Sequence, residues 1–243
     1  MVKDNIRNLL NYLHLDITKN LKYDRLTKII IKRYIHKNWT CVDIGCHKGE
    51  ILDMFLETAY EGIHYAFEPI PIFCRTLKEK YSSLPVTVSD YALSDQCGEA
   101  TFQWVKNAPA YSGLKQRKYA VKNPDIEEIC VKVSTLDDLF TEDIEINFIK
   151  IDVEGGEYAV LKGAKNLLKR DKPFVLFEYG LGASDYYNSQ PEDIFNLFKE
   201  CNMILFTLEA LIKFRDSLTL EEFKALYESN KEYYFIATSG GAD

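Results

Sequence analysis

The chain carries no pair of cysteines at CxxC spacing. Its six cysteines (Cys41, Cys46, Cys74, Cys97, Cys130 and Cys201) are scattered, which argues against a zinc ribbon and a disulfide framework and suits a reducing compartment, the cytoplasm. No apolar run approaches the ~20 residues that span a bilayer. The opening stretch MVKDNIRNLLNYLHLD is broken by charge too often to read as a secretion signal. Positive excess is missing too: the net charge of −7 disfavours a general nucleic-acid binder, whose partner's phosphates need a basic surface. Internal repeats, low-complexity tracts and a convincing interdomain linker are equally absent. What remains, 243 residues with 47% hydrophobic and 28% charged side chains, is ordinary for a soluble globular enzyme of one large domain with a modest appendage.

Residues 1–37 read as that appendage, a helical N-terminal extension before a domain over 38–243. Ile6, Leu9, Leu10, Leu13, Leu26, Ile29 and Ile30 recur at helical spacing. The segment holds nine Lys/Arg against three Asp, which predicts a solvated basic face opposite an apolar face able to pair subunits in a homo-oligomer. From Trp39 onward short apolar runs alternate with helical patterns. TCVDIG, IHYAFE and PVTVSD read as strands with helices between them. ATFQWV and ICVKVS then interrupt the rhythm as a β insertion around a long loop, residues 105–128. INFIKID, a helix over Glu157–Leu168, and PFVLFEYG restore it, and MILFTL and YYFIAT follow, each after a helix near 191–200 or 219–228. Strands alternating with helices imply an α/β, mostly parallel, doubly wound sheet.

Chemistry concentrates at three strand ends. Val42-Asp43-Ile44-Gly45-Cys46-His47-Lys48-Gly49-Glu50 occupies the first strand-to-helix turn, where glycines let the backbone approach a ligand. A dinucleotide site wants GxGxxG; this turn has GxxxG, with an acid two positions before it. Asp43 would repel a pyrophosphate but can pair with the ammonium of a methionine moiety, so the charge logic favours S-adenosylmethionine over NAD. Glu68, ending the second strand, can accept both ribose hydroxyls of an adenosine. Asp90, ending the third, can accept from an adenine amino group, with Ser89 and Tyr91 equally near. Ile149-Lys150-Ile151-Asp152-Val153-Glu154-Gly155-Gly156-Glu157 delivers Asp152 to the carboxyl edge of the sheet, where open α/β folds bind ligands. Glu157 reads as a helix-capping acid. One strand later Glu178 reaches the same edge. Within the long loop, Lys106, Lys115, Arg117, Lys118 and Lys122 with Tyr111 and Tyr119 suit a lid or binding loop, and Tyr186 and Tyr187 offer flat faces to a sugar or ring.

Taken together, VDIGCHKGE, YAFEP, SDYALSDQCGEATF, VSTLDDLF, INFIKIDVEGGEYAVLKGA and VLFEYG resemble the FkbM family of methyltransferases, over about Trp39–Thr238. The resemblance implies a Rossmann-like class I fold, a seven-stranded sheet with its last strand antiparallel, and methyl transfer from S-adenosylmethionine to a hydroxyl of a sugar, glycan or natural product. Carried over residue by residue, Asp43, Gly45 and Gly49, with Cys46 and His47 in the same turn, would line the methionine site. Glu68 would hold the ribose, Asp90 would lie near adenine, and Asp152 near the transferred methyl. His47 departs from the family, which often has Asn there. Some class I O-methyltransferases hold Mg²⁺ with acids after the equivalents of the Asp152 and Glu178 strands, so Asp152, Glu178 and Glu154 are metal candidates. Without metal, Asp152 is the expected general base, assisted by Glu178. The rival readings are a catalytically silent S-adenosylmethionine-binding subunit and, against the glycine spacing, an NAD-dependent oxidoreductase.

Overall fold

The computed structural model describes residues 19–119 and 121–240. In chain order the elements are α1 (Lys19–Tyr34), β1 (Cys41–Ile44), α2 (Glu50–Thr58), β2 (His64–Phe67), α3 (Pro71–Lys80), β3 (Val86–Ser89), β4 (Ala92–Leu93), β5 (Gly98–Val105), β6 (Ile126–Ser134), α4 (Leu136–Leu139), β7 (Phe148–Ile151), α5 (Glu157–Lys162), α6 (Lys165–Asp171), β8 (Phe174–Glu178), α7 (Pro191–Glu200), β9 (Ile204–Thr207), α8 (Leu208–Ile212), α9 (Leu220–Glu228) and β10 (Tyr234–Thr238). The main sheet runs β3-β2-β1-β7-β8-β10-β9. Its pairings are parallel except at β10, which lies antiparallel to both β8 and β9. Periodicity could not decide that orientation; the structure gives the reversed last strand that class I methyltransferases have.

Side chains alternate across a strand, and the two halves of the core follow that period of two. Val42, Ile44, Ile149, Ile151, Val175, Phe177 and Phe235 pack with α5, α6, α7 and α9. Cys41, Phe148, Leu176 and Ile236 pack on the other face with α1, α2, α3 and α8. The sheet is therefore covered on both sides, and its buried strands read as nearly continuous apolar runs. Two helices part where one was expected over Glu157–Leu168. They separate at Gly163, where a Cβ would stand 2.1 Å from the Ser94 carbonyl oxygen, so close packing on the β3–β5 connection dictates the residue.

The insertion is a second, three-stranded sheet, β4-β6-β5. Its connection is shorter and more ordered than a bare loop over 105–128. β5 extends to Val105, β6 starts at Ile126, a 3₁₀ turn forms at Pro109–Tyr111, and Gly113 bridges back to Gln103.

α1 is helical, as its spacing predicted, but its apolar face faces inward. Leu26, Ile30 and Ile31 are buried against this chain's own sheet, so these side chains are not available to pair subunits. Ile6, Leu9, Leu10 and Leu13 lie outside the described residues. Among the described residues no helix is long and apolar enough to cross a membrane. If α1 is part of the core, Ile30→Ala should cost about 2–5 kcal/mol in urea unfolding, the usual penalty for truncating a fully buried aliphatic side chain. A loss below about 1 kcal/mol would make α1 a loosely attached appendage.

Candidate active site

At the carboxyl ends of β2, β1 and β7 the chain turns sharply, and the turns are laced together. Gly45 and Cys46 N–H donate to the Phe67 carbonyl (3.0 and 3.2 Å), and Asp152 N–H donates to the Ile44 carbonyl (3.0 Å). Gly45 has φ +75°, and a Cβ there would stand 1.9 Å from the Asp152 carbonyl oxygen. Glycine is thus required on two counts, conformation and contact. Gly49 caps α2 in the left-handed region and backs onto Tyr81, whose hydroxyl would lie 2.4 Å from an added Cβ. It shapes the turn from behind. His47, at φ 47°, turns its ring edge toward Phe73 (4.9 Å between centroids). Its Nε2 is buried with no hydrogen bond among the described residues, and burial, reinforced by Lys48, lowers its pKa.

These turns open onto a cavity of about 1460 Å³, above the ~300–1,000 Å³ usual for one ligand and roomy enough for two. Glu68, Tyr91, Ala92, Leu93 and Phe102 line one end; Asp43, Gly45, Cys46, Lys150, Asp152 and Glu178 line its middle; Tyr234, Tyr23 and Thr27 close the side beneath α1. Strand register, parallel at β1–β7 and antiparallel at β8–β10, explains the middle. Asp43 on β1 pairs with Lys150 on β7, and Glu178 on β8 pairs with Tyr234 on β10. Lys150 and Asp152 are two residues apart, so they share a face.

The distances make one cluster of them. Lys150 Nζ stands 3.1 Å from Asp152 Oδ2 and 4.0 Å from Asp43 Oδ1, and the Tyr234 hydroxyl donates to Asp152 Oδ2 at 3.1 Å. Burial lowers the Lys150 pKa, but Asp152 and Asp43 outweigh it and the net shift is upward, so the ammonium keeps its charge. Asp43 is wholly buried, and among the described residues neither of its oxygens completes a hydrogen bond, although the Leu52 N–H lies close enough to pull its pKa down and Lys150 faces it at 4.0 Å. Burial pushes its pKa up to about 6 against the opposing pull of Lys150. Glu68 accepts the His47 N–H through Oε2 and the Ile70 N–H through Oε1, each at 2.9 Å, and burial raises it to about 7. Each of its oxygens retains a lone pair, so ribose hydroxyls are still within its capacity. Burial, then the nearby Asp152, raise Glu178 to about 8.

A profile of the methyltransferase FkbM domain matches residues 43–205. The chain belongs to the FkbM methyltransferase family. No curated protein matches it. Among solved structures it is similar to the methyltransferase FkbM from Methylobacillus flagellatus KT, at 16% identity and a TM-score of 0.49, over 84% of this chain and 44% of that one. It thus spans less than half of that protein. A SAM-dependent methyltransferase from Aquifex aeolicus matches at 10% identity and TM-score 0.43, over 87% of this chain and 88% of that one. A complex of the Haloferax volcanii Trm112 methyltransferase activator with a putative methyltransferase gives 11%, 0.46, 96% and 97%. At these similarities the fold rests on the strand order itself.

Within this FkbM site, not every residue read from the sequence comes together. Asp90 turns away to the insertion, 3.4 Å from Lys132, and the cavity wall beside it is built from Tyr91, Ala92 and Leu93. Glu154, at φ 59°, is ion-paired with Arg117 from the insertion loop. Arg117 also donates to the Gly182 carbonyl (3.0 Å) and lies over Tyr111 (5.3 Å). Tyr187 packs against Gly155 and accepts the Lys115 N–H at 3.0 Å, so it holds the loop down as a structural prop. Glu157 is buried and accepts the Val153 and Gly155 N–H groups at 3.1 Å, which fixes the turn after Asp152. The donors do not fit Mg²⁺. Among the described residues no group of three or more His, Cys, Asp or Glu could hold a metal ion, Glu154 is taken by Arg117, and the Lys150 ammonium already stands against Asp152. Lys150 and Tyr234 are the functional residues that motif reading passed over. A lysine inside the apolar run INFIKID was the available signal.

Four acids raised by burial give a signed prediction. Asp43, Glu68, Glu157 and Glu178 have folded pKa values of about 6, 7, 7 and 8, above their unfolded values. The folded protein therefore binds more protons between the two, and its stability falls as pH rises from about 4.5 through about 8. Urea unfolding of the ligand-free protein across that range should show the decline, and Glu157→Gln should flatten part of it. A flat or rising profile would contradict these assignments.

Proposed function

We propose that the chain transfers the methyl group of S-adenosylmethionine to a hydroxyl of a small-molecule or glycan acceptor. The observation that carries this reading is the Asp43 carboxylate, buried on the cavity wall and completing no hydrogen bond among the described residues. A buried charge whose facing cation stands as far off as 4.0 Å is costly, and a ligand ammonium at that place removes the penalty. Glu68, 4% exposed, stands at the next strand end, where it suits the ribose. The apolar and aromatic wall of Tyr91, Leu93 and Phe102 suits adenine better than a carboxylate would, which leaves Asp90 without a role in this reading.

When bound, S-adenosylmethionine supplies the methyl group and leaves as the thioether. The protein's part is to orient and deprotonate the acceptor. Asp152 accepts from Lys150 and Tyr234 through the same oxygen, Oδ2, which leaves Oδ1 to take the hydroxyl proton as the oxygen–methyl bond forms and the sulfur–methyl electron pair stays on sulfur. Glu178, whose neutral form burial and the nearby Asp152 favour, assists by keeping a second negative charge out of the pocket. Cation assistance to the oxygen falls to Lys150, the charge the cluster already contains.

Two variants test the reading on separate axes. Asp43→Ala should weaken S-adenosylmethionine binding by about 1–3 kcal/mol in calorimetry, the cost of losing one charged partner. Asp152→Asn should still bind S-adenosylhomocysteine and lose about 10²–10⁴-fold in turnover on an acceptor panel of sugar and natural-product hydroxyls. Full activity in Asp152→Asn would remove the base. Cofactor binding with no turnover on any acceptor, in the wild type, would favour a silent binding subunit.

A further inference from the structure

Lys150 is the one buried lysine among the described residues, and its place is the wrong one for simple cofactor affinity. Its ammonium lies 4.0 Å from the carboxylate assigned to the methionine ammonium and 3.1 Å from the carboxylate assigned to the acceptor. The sulfur that carries the methyl group must sit between those two carboxylates. A site built only to hold a sulfonium would put an apolar or anionic side chain there, because like charges in a poorly hydrated pocket repel by several times what they would in water.

We propose that Lys150 makes the site selective for the charge on the cofactor's sulfur, opposing the sulfonium of S-adenosylmethionine and tolerating the neutral thioether of S-adenosylhomocysteine. This rests on the cofactor reading above and goes beyond it. Binding energy that improves as the sulfonium loses its charge is realised on the way to the transition state, and such differential binding accelerates the reaction. The arrangement is self-consistent. Asp43 and Asp152 keep Lys150 charged in a place where burial alone would neutralise it, and Lys150 in turn offsets the crowding of two acids. α1 covers the pocket on this face: Tyr23 and Thr27 line it, and the Tyr23 ring lies 4.9 Å from that of Tyr234, which keeps the Lys150 side chain buried and limits the screening of its charge.

S-adenosylmethionine and S-adenosylhomocysteine differ by one methyl and one charge, so the ratio of their dissociation constants reads the effect without any acceptor. Calorimetry with both ligands on Lys150→Met should shift the ratio toward S-adenosylmethionine by about tenfold or more. Lys150→Arg should stay within about threefold of wild type, since the charge remains. Asp152→Asn, which leaves the ammonium less opposed, should shift the ratio the other way, and it carries the test alone if Lys150→Met fails to fold. A ratio within about twofold of wild type in either Lys150→Met or Asp152→Asn, with both ligands still binding, overturns the proposal and leaves the cofactor site standing. Wild-type protein that binds neither ligand removes the cofactor reading itself, and the proposal with it.

Discussion

Asp43, Glu68, Asp152 and Glu178 all reach one edge of one sheet, and Lys150 is the cation buried among them. Ionised carboxylates packed this way in a poorly hydrated pocket repel one another and lose the water that would stabilise them. The raised values of Asp43, Glu68 and Glu178 record that cost. The ion pair of Lys150 with Asp152, at 3.1 Å, and the more distant Asp43 limit it. A pocket left with more buried acid than base is complementary to a ligand of net positive charge, which is what S-adenosylmethionine with its ammonium and sulfonium offers. Stability and ligand choice therefore share one electrostatic origin, and the raised acids give the ligand-free protein a reason to lose stability as pH rises.

That cluster exists only because the backbone brings three strand ends within contact. The register of β1 on β7 sets Asp43 beside Lys150. Gly45 lets the first turn press onto the Asp152 carbonyl, and the buried Glu157 carboxylate ties the Val153 and Gly155 N–H groups so that Asp152 leaves its strand in a fixed direction. Arg117 and Tyr187 then anchor the insertion over the same turn. The wall of the cavity is thus borrowed from the insertion, while the charges belong to the central strands.

Much of this was legible in the residue pattern. Seven apolar runs outside the insertion match the seven strands of the main sheet, and the helical patterns between them match a sheet covered on both faces. Asp43, Glu68, Asp152 and Glu178 were identifiable because each lies at or just beyond the carboxyl end of a strand, where the doubly wound architecture leaves its crevice. Other features depended on distance in space. Asp90 follows a strand as well, but Lys132, 42 residues on in the chain, draws it out of the pocket. Glu154 sits in the most acidic motif and lines the cavity, but its charge is taken up by Arg117, a pairing set by the insertion's fold. The inward apolar face of α1 has the same helical spacing as a surface that pairs subunits. Tyr234 belongs to a strand whose reversal periodicity cannot reveal, and only that reversal brings its hydroxyl to Asp152.

The proposed function turns on the Asp43 carboxylate, which completes no hydrogen bond among the described residues, receiving a ligand's ammonium at this sheet edge. A crystal structure of the protein with S-adenosylhomocysteine tests it most directly. The account predicts the ligand amine within hydrogen-bonding distance of Asp43 and the ribose hydroxyls on Glu68, with Lys150 close to the sulfur. A ligand bound elsewhere, or one in this cavity with its amine turned away from Asp43, would contradict it.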